Sequence, residues 1–179
     1  MVTSENDLKM LLKALAFAAH KHRDQRRKDV ESSPYINHPI SLASILCNEG
    51  HVTDTEVICA ALLHDTVEDT DTTAEELEQE FSAAIRHIVM DVTDDKTLGK
   101  AERKQRQVDH AAHICDQAKL VKLADKISNL RDVAGNPPAG WSVERRQVYF
   151  DWARSVIDRL RGVHGPLEDL FDSEYANRP

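Results

Sequence analysis

Cysteine, glycine and proline are scarce in this chain, and each shortage excludes something. The three cysteines, Cys47, Cys59 and Cys115, are odd in number, far apart and without a CxxC pair. Neither a disulfide framework nor a cysteine-built zinc site is expected, and the thiols read as reduced, space-filling groups. Six glycines and six prolines in 179 residues leave no room for low-complexity or linker-rich tracts. No segment alternates apolar and polar residues for the length of a strand, so sheet is not expected. The longest apolar run, Val57 to Leu63, falls far short of the roughly 20 residues that span a bilayer. The opening residues, MVTSENDLKM, lack the basic-then-apolar order of a secretory signal, so the chain is expected in the cytoplasm, away from membranes. A net charge of −8 opposes general nucleic-acid binding, which depends on neutralising phosphates. The GxGxxG, GxxxxGK and GxSxG patterns are all missing, and Rossmann, P-loop and serine-hydrolase chemistry lose support with them.

What remains is a chain that is 41% hydrophobic and 30% charged, the composition of one globular domain over residues 1–179. Apolar residues recur at helical spacing nearly throughout, which predicts an all-α helical bundle. Leu8, Leu11, Leu12, Leu15, Ala18 and Ala19 predict a first helix. A loop through Ser32-Ser33-Pro34 follows, and Pro39 suits the first turn of a second helix that Gly50 ends. Asp54 is placed to cap a third helix leading to His64 and Asp65. Thr73 with Glu76 makes a capping-box pattern for a short helix to about Glu80, and Ile85, Ile88, Val89 and Val92 mark the next. After TDDKT a charged helix runs from about Ala101 toward His113. Leu120, Leu123, Ala124, Ile127 and Leu130 line a core helix that GNPPAG breaks at 135–140. Ser142 then caps a helix expected to place Val148, Trp152, Val156 and Leu160 on one side, with a C-terminal helix and tail over 161–179.

The stretch AALLHDTVEDTDT, residues 60 to 72, runs from apolar residues straight into His64, Asp65, Glu68, Asp69 and Asp71. Four carboxylates in seven positions repel one another unless solvent or a cation offsets the charge, so this is either a solvated helix end or a metal site. Two more oddly placed polar residues lie elsewhere. His38 stands at the mouth of the second helix, and Asp125 interrupts the apolar face of the core helix. Alone, His38 reads as a cap or surface residue and Asp125 as a partner of Lys122 or Lys126. Together with His64 and Asp65 they make two nitrogen and two oxygen donors, a mixed set suited to Mn²⁺ or Fe²⁺. His22 falls on the inner stripe of the first helix and reads as a satisfied core or boundary residue. His20, His51, His87, His110, His113 and His164 show no ligand spacing. Basic residues gather at 21–28, five Lys or Arg in eight positions, and again at Lys96, Lys100, Arg103, Lys104 and Arg106. Such runs read first as solvated faces.

His38, the pair His64-Asp65 and Asp125 reproduce the H…HD…D signature of HD-domain metal phosphohydrolases. RKD, PYINHP, ALLHDTVEDT, VTDDKT and KLVKLADKISNLRD then resemble, in order, the motifs of the hydrolase domain in the RelA/SpoT alarmone enzymes, closest to their small stand-alone animal members. The resemblance runs from about residue 14 to 160. Two departures, a slightly longer loop before PYINHP and Ser128 where bacterial forms usually carry histidine, bear on substrate contacts rather than on the metal ligands.

The resemblance implies a single HD-type domain and a small-molecule nucleotide substrate. It also implies hydrolysis of guanosine 3′,5′-bis(diphosphate) or its 5′-triphosphate form to GDP or GTP and diphosphate. One Mn²⁺ held by His38, His64, Asp65 and Asp125 would serve the reaction. Glu68 and Asp69 match the family's catalytic pair, and Arg27, Lys28 and Asn129 its substrate contacts. Asn129 also follows Asp125 by one helical turn. Lys100, Arg103 and Lys104 are further candidates for phosphate, and Tyr149 for the nucleotide pocket. Asp71 matches no role and reads as solvated or as a cap. The rival readings are another HD-domain nucleotide hydrolase, such as one removing the 2′-phosphate of NADPH, and a nucleotide sensor without catalysis.

Overall fold

Side-chain oxygens set half of the α-helix starts among the described residues. In the computed structural model, which describes residues 4–179, Ser4 and Asp7 form a reciprocal capping box at the head of α1 (Glu5–Lys21). Residues 1–3 of the opening stretch read above lie outside the described residues. Asp54 accepts from the N–H groups of Glu56 and Val57 and starts α3 (Thr55–Leu63). Caps of this kind are each worth about 1 kcal/mol, because they satisfy backbone donors that the helix itself leaves free. Between these two helices lies α2 (Asn37–Ser44), which continues as a π-type turn, Ile45–Glu49.

Gly50 does end that element, though not by taking a left-handed turn. Its φ is −81°, and His51 carries the positive φ of 54° instead. A Cβ on Gly50 would come within 2.7 Å of the Leu167 side chain, so glycine is required there by the close approach of α10 (Gly165–Tyr175).

The chain breaks at Asp65 after α3, and a separate short α4 (Thr66–Asp69) follows. Thr73 caps α5 (Ala74–Glu80) through the Glu76 N–H; the carboxylate of Glu76 pairs with Lys21 at 3.0 Å. Ser82 caps α6 (Ala83–Val92). The charged helix α7 (Lys100–His110) stops three residues short of His113 and buries none of its residues. The core helix α8 (Asp116–Gly135) buries Leu123, Ala124, Ile127 and Leu130 as expected. Asn136, in the GNPPAG segment, ends it.

Two predicted stripes hold in part: Leu11, Leu15 and Ala18 in the first helix and Trp152, Val156 and Leu160 after Ser142 lie against the core, but other members turn outward. Leu8 and Leu12 are 54% and 58% exposed, and Ala14 and Ala18 form the buried line of α1, which packs on α3. Small alanines let two helix backbones approach closely, whereas leucines at that seam would hold them apart. On α9 (Val143–Ile157) the buried residues are Phe150, Ala153, Val156 and Ile157. Val148 is 62% exposed, because Phe150 lies about 200° further round the helix and takes the core side. Among the described residues no strand forms, only an isolated antiparallel bridge between Arg26 and Pro34. The helices pack round one core in which α3 and α8 are central. Leu123→Ala there should cost roughly 2–5 kcal/mol.

Candidate active site

The donors predicted from the sequence meet where α2, α3 and α8 cross. His38 is the second residue of α2, His64 caps the C-terminal end of α3, Asp65 follows it, and Asp125 faces them from α8. His38 Nε2 lies 3.3 Å from Asp125 Oδ1 and His64 Nε2 lies 2.8 Å from Asp65 Oδ2. The two imidazole centroids are 5.3 Å apart. One donor atom each from His38, His64 and Asp65 fall within 4.8 Å of one another.

The other nitrogen of each ring is already engaged. His64 Nδ1 donates to the Ala61 carbonyl at 2.9 Å, and His38 Nδ1 is 3.3 Å from the Ser128 hydroxyl. In both rings Nε2 is the nitrogen that faces the centre, as hydrogen bonds on the far side of a ligand ring normally arrange. Ser128, at the position where bacterial forms carry histidine, is 4% exposed. It contacts His38 and does not line the cavity over the donors.

The carboxylates stay ionised although they are buried. Burial alone would raise Asp125, but Lys126 at 2.9 Å and the two histidines hold it well below the usual carboxylate range. Asn129 donates to it at 2.6 Å. Burial likewise opposes charge on His64, yet the Asp65 carboxylate overcomes this and drives the imidazole up to about 9. His38 goes the other way, pushed down by complete burial. Tyr35 donates its hydroxyl to Asp65. The centre demands positive charge, and two imidazole nitrogens with two carboxylate oxygens fit a divalent ion.

A cavity of about 280 Å³ opens over these donors. Of the other predicted residues, Glu68, Arg27, Asn129, Lys100, Arg103, Lys104 and Tyr149 all line it. Lys28 and Asp69 do not: they face an adjoining cavity of about 440 Å³. Lys28 sits in the loop between the first two helices, and Glu68 and Asp69, consecutive in the α4 turn, leave it about 100° apart, one inward and one sideways. Glu68 accepts the Asp94 N–H at 3.0 Å. Its own burial, with help from the charges of Asp65, Asp94 and Asp69, raises the carboxyl to about 7. Asp69 pairs with Lys96 and accepts from Gln25 Nε2 at 2.7 Å. Arg27 belongs to both cavities; it is paired with Asp132 and sits 3.3 Å from Asn129 Oδ1.

Several lining residues were not singled out from the sequence. Trp152, expected on the same side as Val156 and Leu160, packs against the core and also walls the cavity: its indole donates to the Lys104 carbonyl at 3.1 Å and carries Lys104 and Lys126 over its face, each 4.4 Å from the ring centroid. Tyr35 lay within the quoted PYINHP stretch and was legible there. Lys126 does pair with Asp125 at 2.9 Å, as one reading of that aspartate expected. Lys122 instead contacts the Val92 carbonyl at 3.3 Å, and burial beside Lys126 brings its ammonium down to about 8.

Outside the cavity, Asp71 is solvated and pairs with Lys21 at 3.0 Å. His22 is buried as expected but not fully satisfied, for its Nε2 has no partner. All three cysteines are free, and burial pushes the Cys59 thiol up to about 12. His87 and Cys115, dismissed as ligands from spacing alone, come together with Asp91 near the surface in a second group that could hold an ion. There Asp91 accepts the Cys115 N–H at 2.9 Å.

Residues 14–153 match the family model of the HD domain. The guanosine-3′,5′-bis(diphosphate) 3′-pyrophosphohydrolase MESH1 of Danio rerio is 57% identical over 169 residues, covering 94% of each chain. Its Homo sapiens counterpart is 55% identical over 168 residues with the same coverage. A solved metazoan orthologue of SpoT, described as hydrolysing ppGpp and acting in starvation responses, superposes with a TM-score of 0.91 at 48% identity, over 94% of this chain and 95% of its own. The agreement extends from the order of the motifs to the course of the helices that carry them, and the chain belongs to the HD-domain family, in the group of the MESH1 proteins.

Proposed function

We propose that this chain is a metal-dependent 3′-pyrophosphohydrolase of guanosine 3′,5′-bis(diphosphate) and its 5′-triphosphate form, yielding GDP or GTP and diphosphate. The observation that carries the proposal is Glu68: a carboxyl raised to about 7 on the wall of the cavity that holds His38, His64, Asp65 and Asp125. A base of that strength is matched to proton removal near neutral pH. The names of the relatives supply the substrate.

Mn²⁺ is the ion we assign to His38, His64, Asp65 and Asp125; when bound, a divalent ion acidifies water and draws charge from a phosphoryl oxygen. Glu68 takes the proton from the attacking water. The water oxygen bonds to the phosphorus carried by the 3′ oxygen, the bond between them breaks, and the 3′ oxygen leaves with the electron pair and regains a proton. Asp69, on the other flank of the α4 turn, orients water or serves the leaving oxygen. Arg27, Lys100, Arg103 and Lys104 balance the charge of the diphosphates, Arg27 by a planar fork and the lysines as point charges. Lys28 acts from the adjoining cavity. Asn129 anchors Asp125 and borders the nucleotide, and Tyr149 forms part of the nucleoside wall.

Metal-stripped protein reloaded with Mn²⁺ would be offered 3′-diphosphate, 5′-monophosphate and 2′-phosphate nucleotides. Release of diphosphate from the first, with no comparable turnover of the others, is the expected result. Preferential removal of a 2′-phosphate would replace the substrate assignment, and equal activity without metal would end the metal assignment.

A further inference from the structure

The loop between α1 and α2 holds two side chains that the scheme above leaves unused. Tyr35 N–H donates to the Gln25 carbonyl at 3.1 Å and Arg27 N–H to the Ser33 carbonyl at 2.9 Å, which sets Gln25 and Tyr35 side by side. From there Tyr35 reaches Asp65 and Gln25 Nε2 reaches Asp69 Oδ2 at 2.7 Å. Two neighbours in one loop thus hold two carboxylates at opposite ends of the α4 turn.

A glutamine amide can face a carboxylate with its NH₂ or with its oxygen, and only the first attracts. His22 makes that choice. Its Nδ1 lies 2.6 Å from Gln25 Oε1, so a proton on Nδ1 occupies the amide oxygen and turns the NH₂ toward Asp69. The ring is 2% exposed and lies 4.9 Å from that of Tyr35, centroid to centroid. Its Nε2 is buried without a partner. An unpaired lone pair there is less costly than an unpaired N–H, which favours the same tautomer.

The other contact to Asp69 comes from Lys96, whose side chain is 48% exposed. An exposed ammonium is free to follow an incoming diphosphate, whereas the half-buried amide of Gln25 stays in place. We propose that Gln25, oriented by His22, is a positioning residue that fixes the direction of the Asp69 carboxylate, and that Gln25 and Tyr35 together make the α1–α2 loop a clamp on the HDTVED segment. This inference rests on the role given to Asp69 above.

The test compares Gln25→Ala, His22→Phe, His22→Asn and Asp69→Asn at saturating Mn²⁺, on whichever nucleotide the parent turns over. Bound metal and melting temperature are measured for each. Gln25→Ala should lower kcat roughly 10-fold or more, the usual size for a lost supporting partner, with KM within about 2-fold and metal retained. His22→Phe keeps a ring against Tyr35 but has no donor, and should match that loss. His22→Asn offers an amide N–H near the position of Nδ1 and should recover most of kcat even if it melts lower than the phenylalanine variant. Unchanged kcat in Gln25→Ala, with kcat lost in Asp69→Asn, would overturn the positioning role and leave the proposed function standing. Full kcat in Asp69→Asn would remove the role of Asp69 and the clamp with it. Equal kcat in the two His22 variants would reduce that residue to packing.

Discussion

The donor centre and the cationic rim face one cavity but are built on opposite principles. His38 and His64 are 4% and 6% exposed, and each sits at the end of a helix packed into the core. Arg103 and Lys104 project from α7, which buries no residue, and Lys28, on the adjoining cavity, is an exposed loop residue. A metal centre tolerates little error in ligand position, so its donors sit where close packing fixes them. A polyanion is attracted over a longer range, so its partners can remain long, wet and adjustable.

Breaking the centre should therefore have the largest effect. Asp125→Ala removes one donor and the partner of Lys126 and Asn129, while alanine keeps α8 helical. Metal analysis should find the ion lost and hydrolysis reduced by roughly 10³-fold or more, as when one member of an interdependent catalytic unit is removed. A variant that retained both would show that the buried carboxylate is only an ion-pair partner.

Glu68→Gln separates chemistry from metal holding. Its kcat should fall roughly 10²-fold or more with the ion still bound. In the parent, kcat should decline as pH drops through about 7, where Glu68 gains a proton, and the variant's profile should lack that limb. The same group affects stability. Its folded value lies above the ordinary 4.5, so the folded chain holds a proton that the unfolded chain has released. Stability falls as pH rises from that ordinary value through about 7, and metal-free Glu68→Gln should melt higher than the parent at about pH 8.

Within the rim the structure sharpens a contrast between neighbours. Arg27 is 19% exposed, tied to Asp132 and common to both cavities. Arg27→Ala should raise KM about 10-fold with a smaller change in kcat, equivalent to about 1.4 kcal/mol of binding. Lys28→Ala should raise it only about 2- to 3-fold, as befits an exposed charge. Equal effects would mean that the substrate lies mainly in the adjoining cavity. The smallest effect belongs to Lys21→Ala. Lys21 binds Asp71 and Glu76, away from both cavities, so kinetics should not change and stability should fall by less than about 1 kcal/mol.

Helical periodicity made the all-α character legible, and the capping residues Asp54, Thr73 and Ser142 stood at the starts they serve. The centre was legible too, because a histidine or aspartate set among apolar helix residues is costly without a partner, and that cost is visible in a one-dimensional pattern. Phase was less secure. A period marks a stripe, but the choice between Val148 and Phe150 as the inward residue depended on which neighbour α9 meets. Trp152 packs against the core with Val156, and its second role on the cavity wall was not legible, since an aromatic at helical spacing fits both equally well.

By itself, then, the sequence determined the helices, the order of the motifs and which buried polar residues would gather at one centre, because propensity, capping and the penalty on buried polar groups all act locally along the chain. Only the tertiary structure decided that Glu68 looks into the donor cavity while Asp69 looks out of it, that Ser128 supports His38, and that His22 and Gln25 reach the HDTVED segment. Those relations join residues up to 90 positions apart, and they depend on the break at Asp65 and on how closely α2, α3 and α8 approach. Neither quantity is carried by any local stretch of residues.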